Sequence, residues 1–125
     1  MADGAFPRSL NSSERAVIEV ILSAGLGRDA LRSQLDHAKV VGTWAAGPSI
    51  DIEVPDGLPR HGGADGILPT CAQVRDATGD AVGELLLWIA DGSLSALEYA
   101  WYADDPPNRL PEAVAVEVDP DGAGG

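Results

Sequence analysis

Apolar positions are densest from Val82 to Tyr102, VGELLLWIADGSLSALEYAWY, where two apolar runs flank Asp91-Gly92. Asp-Gly between such runs is a strong local hairpin signal. The stretch also holds Trp88, Trp101 and both tyrosines, Tyr99 and Tyr102. It reads as the central hairpin of a sheet. A two-residue turn pairs Ile89 with Leu94 and, carried on, Leu85 with Glu98, which sets a carboxylate into an apolar face. A type I turn with Gly92 left-handed forms a bulge and shifts the pairing by one residue. Leu87 then faces Leu97, Leu85 faces Tyr99, and Gly83 leaves room opposite Trp101. Register follows the buried pattern, so the bulged arrangement is expected. Its core face carries Leu85, Leu87, Ile89, Leu97, Tyr99 and Trp101. The second face collects Glu84, Leu86, Trp88, Ala96, Glu98, Ala100 and Tyr102.

The remaining pattern places the other elements around this hairpin. Residues 1–9 read as a flexible lead-in, with Gly4 and Pro7 as breakers. Asn11 and Glu14 have the spacing of a capping box, opening a helix over residues 12–24 that stops at Gly25. The hydrophobic staple is missing, because Arg15 stands where an apolar residue would meet Leu10. Val17, Ile18, Ile21 and Leu22 form the buried stripe, and Arg15 and Glu19 an outward pair. After Gly25-Leu26-Gly27 a shorter helix over 28–37 carries Leu31, Leu35 and Ala38 on one stripe. The period then changes. Residues 39–46 are rich in β-formers, Gly47-Pro48 is a turn, and 49–54 alternate Ile50, Ile52 and Val54 with Ser49, Asp51 and Glu53. Residues 55–69 hold glycines and prolines enough for a long loop. Residues 70–77 read as a strand with an imperfect alternation that implies a bulge, and Thr78-Gly79-Asp80 as a turn. Asp104-Asp105-Pro106-Pro107 ends the sheet. Residues 113–118 suit a short edge strand, and 119–125 a disordered tail. The expected fold is α+β: two N-terminal helices packed on a mostly antiparallel meander of four to five strands, in one domain over 10–118, with 104–118 peripheral.

Composition narrows the function classes. The formal net charge is −12, from 20 acidic and 8 basic residues in 125. Such a balance repels phosphate backbones and anionic lipid surfaces, so neither nucleic acid nor membrane is an expected partner. The longest apolar run, Leu85 to Ala90, is too short to span a bilayer. A single cysteine, Cys71, forms no internal disulfide. With MADGAFPRSL lacking the pattern of a signal peptide, a cytoplasmic location is expected.

Candidate chemistry is sparse. The two histidines, His37 and His61, and one cysteine do not supply an ordinary zinc framework. No catalytic residue, metal site or cofactor is assigned. Cys71 reads as a buried, inert thiol. The glycine-rich run around His61 lacks the strand-glycine-helix context of a phosphate cradle. Asp51 with Glu53, and Glu84 with Glu98, read as the wet face of an antiparallel sheet.

The second hairpin face is the anomaly. Leu86, Trp88 and Tyr102 sit there among Glu84 and Glu98, as at a protein-contact surface. The competing expectation is that residues 110–118 or the long loop cover this face. A ligand or enzymatic site between the sheet and the 55–69 loop, at Arg60, His61 and Asp65, is the alternative.

Leu10-Asn11-Ser12-Ser13-Glu14 opening a helix, and Asp91-Gly92-Ser93-Leu94-Ser95-Ala96-Leu97-Glu98 before an aromatic strand and Asp-Asp-Pro-Pro, resemble small bacterial proteins whose families carry no assigned activity. The resemblance implies the layout and no function. In size and charge the chain is also broadly similar to immunity proteins of bacterial toxin systems. The sequence therefore leads to a non-enzymatic acidic protein acting through protein contacts, as a homodimer or an inhibitor.

Overall fold

The computed structural model describes residues 6–23, 28–44, 47–102, 107 and 109–119. The expected turn at 25–27, residues 1–5 of the expected lead-in, 104–106 of the expected sheet end and 120–125 of the expected tail lie outside them; Asp119, expected in the tail, instead ends the last strand, where it pairs with Cys71. In chain order the elements are β1 (Arg8–Ser9), α1 (Ser12–Ser23), α2 (Asp29–Gln34), β2 (Lys39–Thr43), β3 (Ile50–Glu53), β4 (Gly66–Ile67), β5 (Cys71–Arg75), β6 (Ala81–Ala90), β7 (Ser93–Trp101) and β8 (Val116–Asp119).

Helix α1 starts with the expected reciprocal cap. The Glu14 amide donates to Asn11 Oδ1 at 2.8 Å and the Asn11 amide to Glu14 Oε1 at 2.9 Å. Arg8 adds a bidentate grip on the same carboxylate, at 2.9 and 2.8 Å, and leaves Glu14 only 4% exposed. This ion pair orders the chain before the helix, and the end of the expected lead-in becomes β1, paired with β2. Val17, Ile18, Ile21 and Leu22 are buried as the stripe requires. The carbonyls at the far end of α1 are bonded by one arginine in the next helix and one just before it. Arg28 donates to the Ile21 carbonyl at 3.1 Å and Arg32 to that of Leu22 at 3.2 Å. Helix α2 is shorter than expected, but Leu31, Leu35 and Ala38 are all buried.

The sheet is larger than a meander of four to five strands. Eight strands lie in the order β1-β2-β3-β7-β6-β5-β8, with β4 beside β6. Every pairing is antiparallel. The additions are β1 and β4; the edge strand expected over 113–118 forms as β8, which a 3-10 turn at Ala113–Ala115 leads into. Connectivity departs from the meander because β3 pairs with β7 and not with the next strand in sequence. The chain leaves β3, passes the hairpin tip through residues 55–65, and rejoins the sheet on the far side of β6. Strands β3, β7, β6 and β5 thus form a Greek key.

The β6–β7 hairpin is central, as expected, and its long-range register is the bulged one. Leu87 lies opposite Leu97, Leu85 opposite Tyr99 and Gly83 opposite Trp101. The shift is placed differently. Ala90 pairs with Ser93 and Ile89 with Leu94 across a two-residue turn; the extra residue is Ser95, before Trp88 pairs with Ala96. Asp91 and Gly92 both have positive φ, 57° and 77°, so the turn is of the I′ class, whose twist suits the strands. Moving the bulge inward lets both Leu94 and Leu97 point to the core, where each is at most 2% exposed.

Both helices cover one face of this sheet. Val17, Ile18, Ile21, Leu22, Leu31 and Leu35 pack in one cluster with Val40, Ile50, Ile52, Leu68, Leu85, Leu87, Ile89, Leu97 and Tyr99. Gly83 is required by this packing. A Cβ there would lie 2.6 Å from Tyr99 Cε1 and 2.7 Å from the Ala100 carbonyl oxygen. Trp101 is only half-buried, its ring lying against Gly47 at the end of the sheet.

One polar side chain sits in the middle of the core. Gln34 is 0% exposed; its amide nitrogen donates to the carbonyls of Pro59 (2.9 Å) and Gly92 (3.0 Å), and its oxygen accepts from the Leu94 amide (2.9 Å). Gln34→Ala is expected to lower unfolding free energy by about 2–4 kcal/mol, because the Leu94 amide loses its acceptor in a buried site. Urea denaturation measures this.

Tyr99 supplies a pH prediction. Burial pushes its phenol above the ordinary tyrosine range by disfavouring the charged form. The neutral ring therefore stabilises the fold fully below the unfolded tyrosine value, about 10. That contribution is lost as pH rises through the folded value. An absorbance titration near the tyrosinate band should show a late step that Tyr99→Phe removes.

Candidate functional site

Strand alternation sends a second set of side chains away from the helices. Across the middle of the sheet, Asp51 on β3 lies opposite Ala96 on β7, Ala96 opposite Trp88 on β6, and Trp88 opposite Ile67 on β4. The next rows place Leu86 opposite Glu98, and Glu84 opposite both Ala100 and Gln73. Gln73 in turn faces Glu117 on β8. Leu86, Trp88, Glu84 and Glu98 are all half-buried, while Ile67 is 44% and Tyr102 54% exposed. Tyr102 follows β7, its amide donating to the Val82 carbonyl at 3.0 Å. The sequence-predicted contact residues Leu86, Trp88, Glu84 and Glu98 therefore share one face, with Tyr102 at its end.

The expected covers lie elsewhere. Leu110, Ala115, Val116 and Val118 pack against the helix-side core. The 55–65 loop joins the same side through the Pro59 carbonyl, bonded by Gln34. Among the described residues, no helix packs over the second face.

Two indoles are tied down on this face. Trp88 Nε1–H donates to Glu98 Oε1 at 3.0 Å, and Trp44 Nε1–H donates to Asp51 Oδ1 at 3.0 Å. Trp44 was not among the residues singled out by sequence. The signal was there: the turn at Gly47-Pro48 folds Trp44 back toward the alternating strand that carries Asp51. Arg75 at the sheet edge is occupied by Glu117 (2.9 Å) and Gln73 (2.8 Å).

The loop residues Arg60, His61 and Asp65 sit round the hairpin tip, each with its own partners. Asp65 accepts from the turn amides of Asp91 (2.9 Å) and Gly92 (3.3 Å). The His61 amide donates to the Gly92 carbonyl at 2.9 Å, and its imidazole folds back over Gly63. Gly92 is held so closely that a Cβ would meet Arg60 Cβ at 2.7 Å. Arg60 reaches Asp91 at 3.6 Å and Asp56 at 3.8 Å, and lines an open hollow of about 210 Å³ with Glu53, Ser93 and Ser95. A second hollow, of about 270 Å³, lies at the start of α1 beside Arg8, Ser13, Glu14, Thr43 and Arg109. Its one carboxylate, Glu14, is already engaged by Arg8 and by the helix cap.

Metal-ligating side chains do not gather: among the described residues there is no group of three or more His, Cys, Asp or Glu within reach of one ion. No described helix is long and apolar enough to cross a membrane. The thiol of Cys71 lies outside the described side chains.

Asp65→Ala should release the loop from the hairpin tip. The expected cost is about 1–2 kcal/mol, for charge-assisted bonds to two partly exposed amides. Hydrogen exchange at Asp91 and Gly92 should accelerate while the amides of α1 stay protected.

Compared with protein-family models, with curated proteins and with solved structures, the chain matches none of them.

Proposed function

We propose that the protein acts without catalysis, by binding another protein through the sheet face opposite the helices. The observation that carries this reading is the placement of Leu86, Trp88 and Ile67 in the middle of a face that the described helices leave uncovered. Contiguous apolar surface rimmed by polar groups is characteristic of interaction sites.

Charge selects between the two forms of this reading. In a symmetric dimer the same patch meets itself. Here that would bring Asp51, Glu84 and Glu98 of one copy against those of the other, and like charges across an interface cost several kcal/mol in unfavourable cases. A partner of different sequence, as for an inhibitor or immunity protein, avoids that cost.

Sedimentation velocity at micromolar concentration is expected to give a monomer. In affinity capture, wild-type chain should retain a partner that Ile67→Ser/Leu86→Ser loses, while the variant still unfolds in a single cooperative urea transition. A concentration-dependent dimer, or identical capture by both baits, counts against the reading.

A further inference from the structure

The two tied indoles define the partner's chemistry more closely; the inference rests on the binding reading above. Each indole N–H fixes one carboxylate oxygen, Asp51 Oδ1 or Glu98 Oε1. Among the described residues, no hydrogen bond engages the second oxygen of either group, and no lysine or arginine comes within ion-pair distance of either carboxylate. Each pair therefore presents a half-buried tryptophan beside a positioned, uncompensated carboxylate. A guanidinium suits such a site on both counts. It is attracted to the face of an indole ring, and its planar fork donates to carboxylate oxygen.

Spacing adds a constraint. Asp51 lies opposite Ala96, and Glu98 is two residues further along the same strand. Such diagonal neighbours are about 7–8 Å apart. Cationic residues at alternate positions of an extended segment are separated by nearly the same distance, about 7 Å.

We propose that the Trp44–Asp51 and Trp88–Glu98 pairs are adjacent sockets for cationic side chains, arginine above all, presented at alternate positions by a basic protein partner.

The probe is a synthetic alternating Arg-Leu peptide, with a Glu-Leu peptide as control, followed by the indole N–H signals in nitrogen-edited NMR. Trp101, which is not on this face, is the internal reference. The Trp44 and Trp88 signals should move on titration with Arg-Leu and Trp101 should not; affinity should fall as salt rises. Asp51→Asn/Glu98→Gln keeps an acceptor for each indole and should weaken binding at least about fivefold. Glu112→Gln/Asp56→Asn removes two exposed carboxylates elsewhere and should change it less than about twofold. Equal weakening by both double variants would show only bulk attraction and overturn the proposal. So would binding of the Glu-Leu peptide with the same shifts. If instead Ile67→Ser/Leu86→Ser abolishes capture of the native partner and Asp51→Asn/Glu98→Gln does not, the sockets fail while the binding face stands.

Discussion

One turn is gripped from three directions, and the rest of the fold depends on that grip. Asp91-Gly92 adopts positive φ at both residues, a conformation that costs a non-glycine residue about 1–2 kcal/mol. Both of its amides and the Gly92 carbonyl are engaged. Asp65 accepts both turn amides, and the Gly92 carbonyl accepts from Gln34 and from the His61 amide. These partners come from α2 and from two points on the crossing loop, His61 and Asp65. The hairpin tip is therefore where the helical layer, the loop and the central strands are joined. The Greek-key path requires such a joint, because residues 55–65 must leave β3 and pass the hairpin before β4 can add to β6. Without the clasp, a glycine-rich loop of that length has little apolar surface to hold it in place.

Buried polar groups elsewhere follow the same logic. Ser49 is 1% exposed and accepts the Tyr99 amide through its hydroxyl, tying β3 to β7 where their pairing begins. Arg28 is 5% exposed and bonds the Ile21 carbonyl. Its guanidinium is held below the usual arginine value, chiefly by burial and also by the nearby Arg32 charge. Arg8 is shifted the other way by its bond to Glu14. Each of these groups sits at a seam between elements and satisfies a backbone or side-chain partner there. The interior thus uses polar contacts to fix how the layers meet and apolar contacts to hold them together.

Local signals made much of this legible. The Asn11/Glu14 spacing, the Ile50/Asp51/Ile52/Glu53 alternation and the Asp-Gly turn each specify an element through a mechanism confined to a few residues. The hairpin's two faces were separable because only one register keeps Glu98 out of the core. What stayed hidden was long-range. A glutamine on a short helix gives no sign that it will reach a turn more than fifty residues away. The β3–β7 pairing joins segments separated by the whole of β4, β5 and β6, so the meander was the simpler expectation and the wrong one. Strands β1 and β4 are two residues each, too short for any periodicity to show. At the candidate face, Leu86, Trp88, Glu84 and Glu98 were legible from alternation alone. The Trp44–Asp51 contact was legible only in part: the Gly47-Pro48 turn brings the two strands together, but nothing local marks the Trp44 indole as the partner of that carboxylate.

The net charge of −12 is unevenly matched across the molecule. Arg8 pairs with Glu14, Arg15 with Glu19 and Asp36, and Arg32 with Asp29, all on the helical side. Arg60 stands between Asp56 and Asp91 at the hairpin tip, and Arg75 meets Glu117 at the sheet edge. The described arginine pairs are thus spent on the helices, the tip and the rim. Asp51, Glu84 and Glu98, in the middle of the open face, have no such pairing among the described residues. A carboxylate on a merely wet face is free to turn into solvent, and its orientation is set by water. Asp51 and Glu98 are instead each oriented by an indole N–H; Asp51 stays exposed, while Glu98 is half-buried beside Leu86 and Trp88. Holding the uncompensated Glu98 charge there forgoes part of its hydration, a cost that an opposite charge brought by a partner would offset.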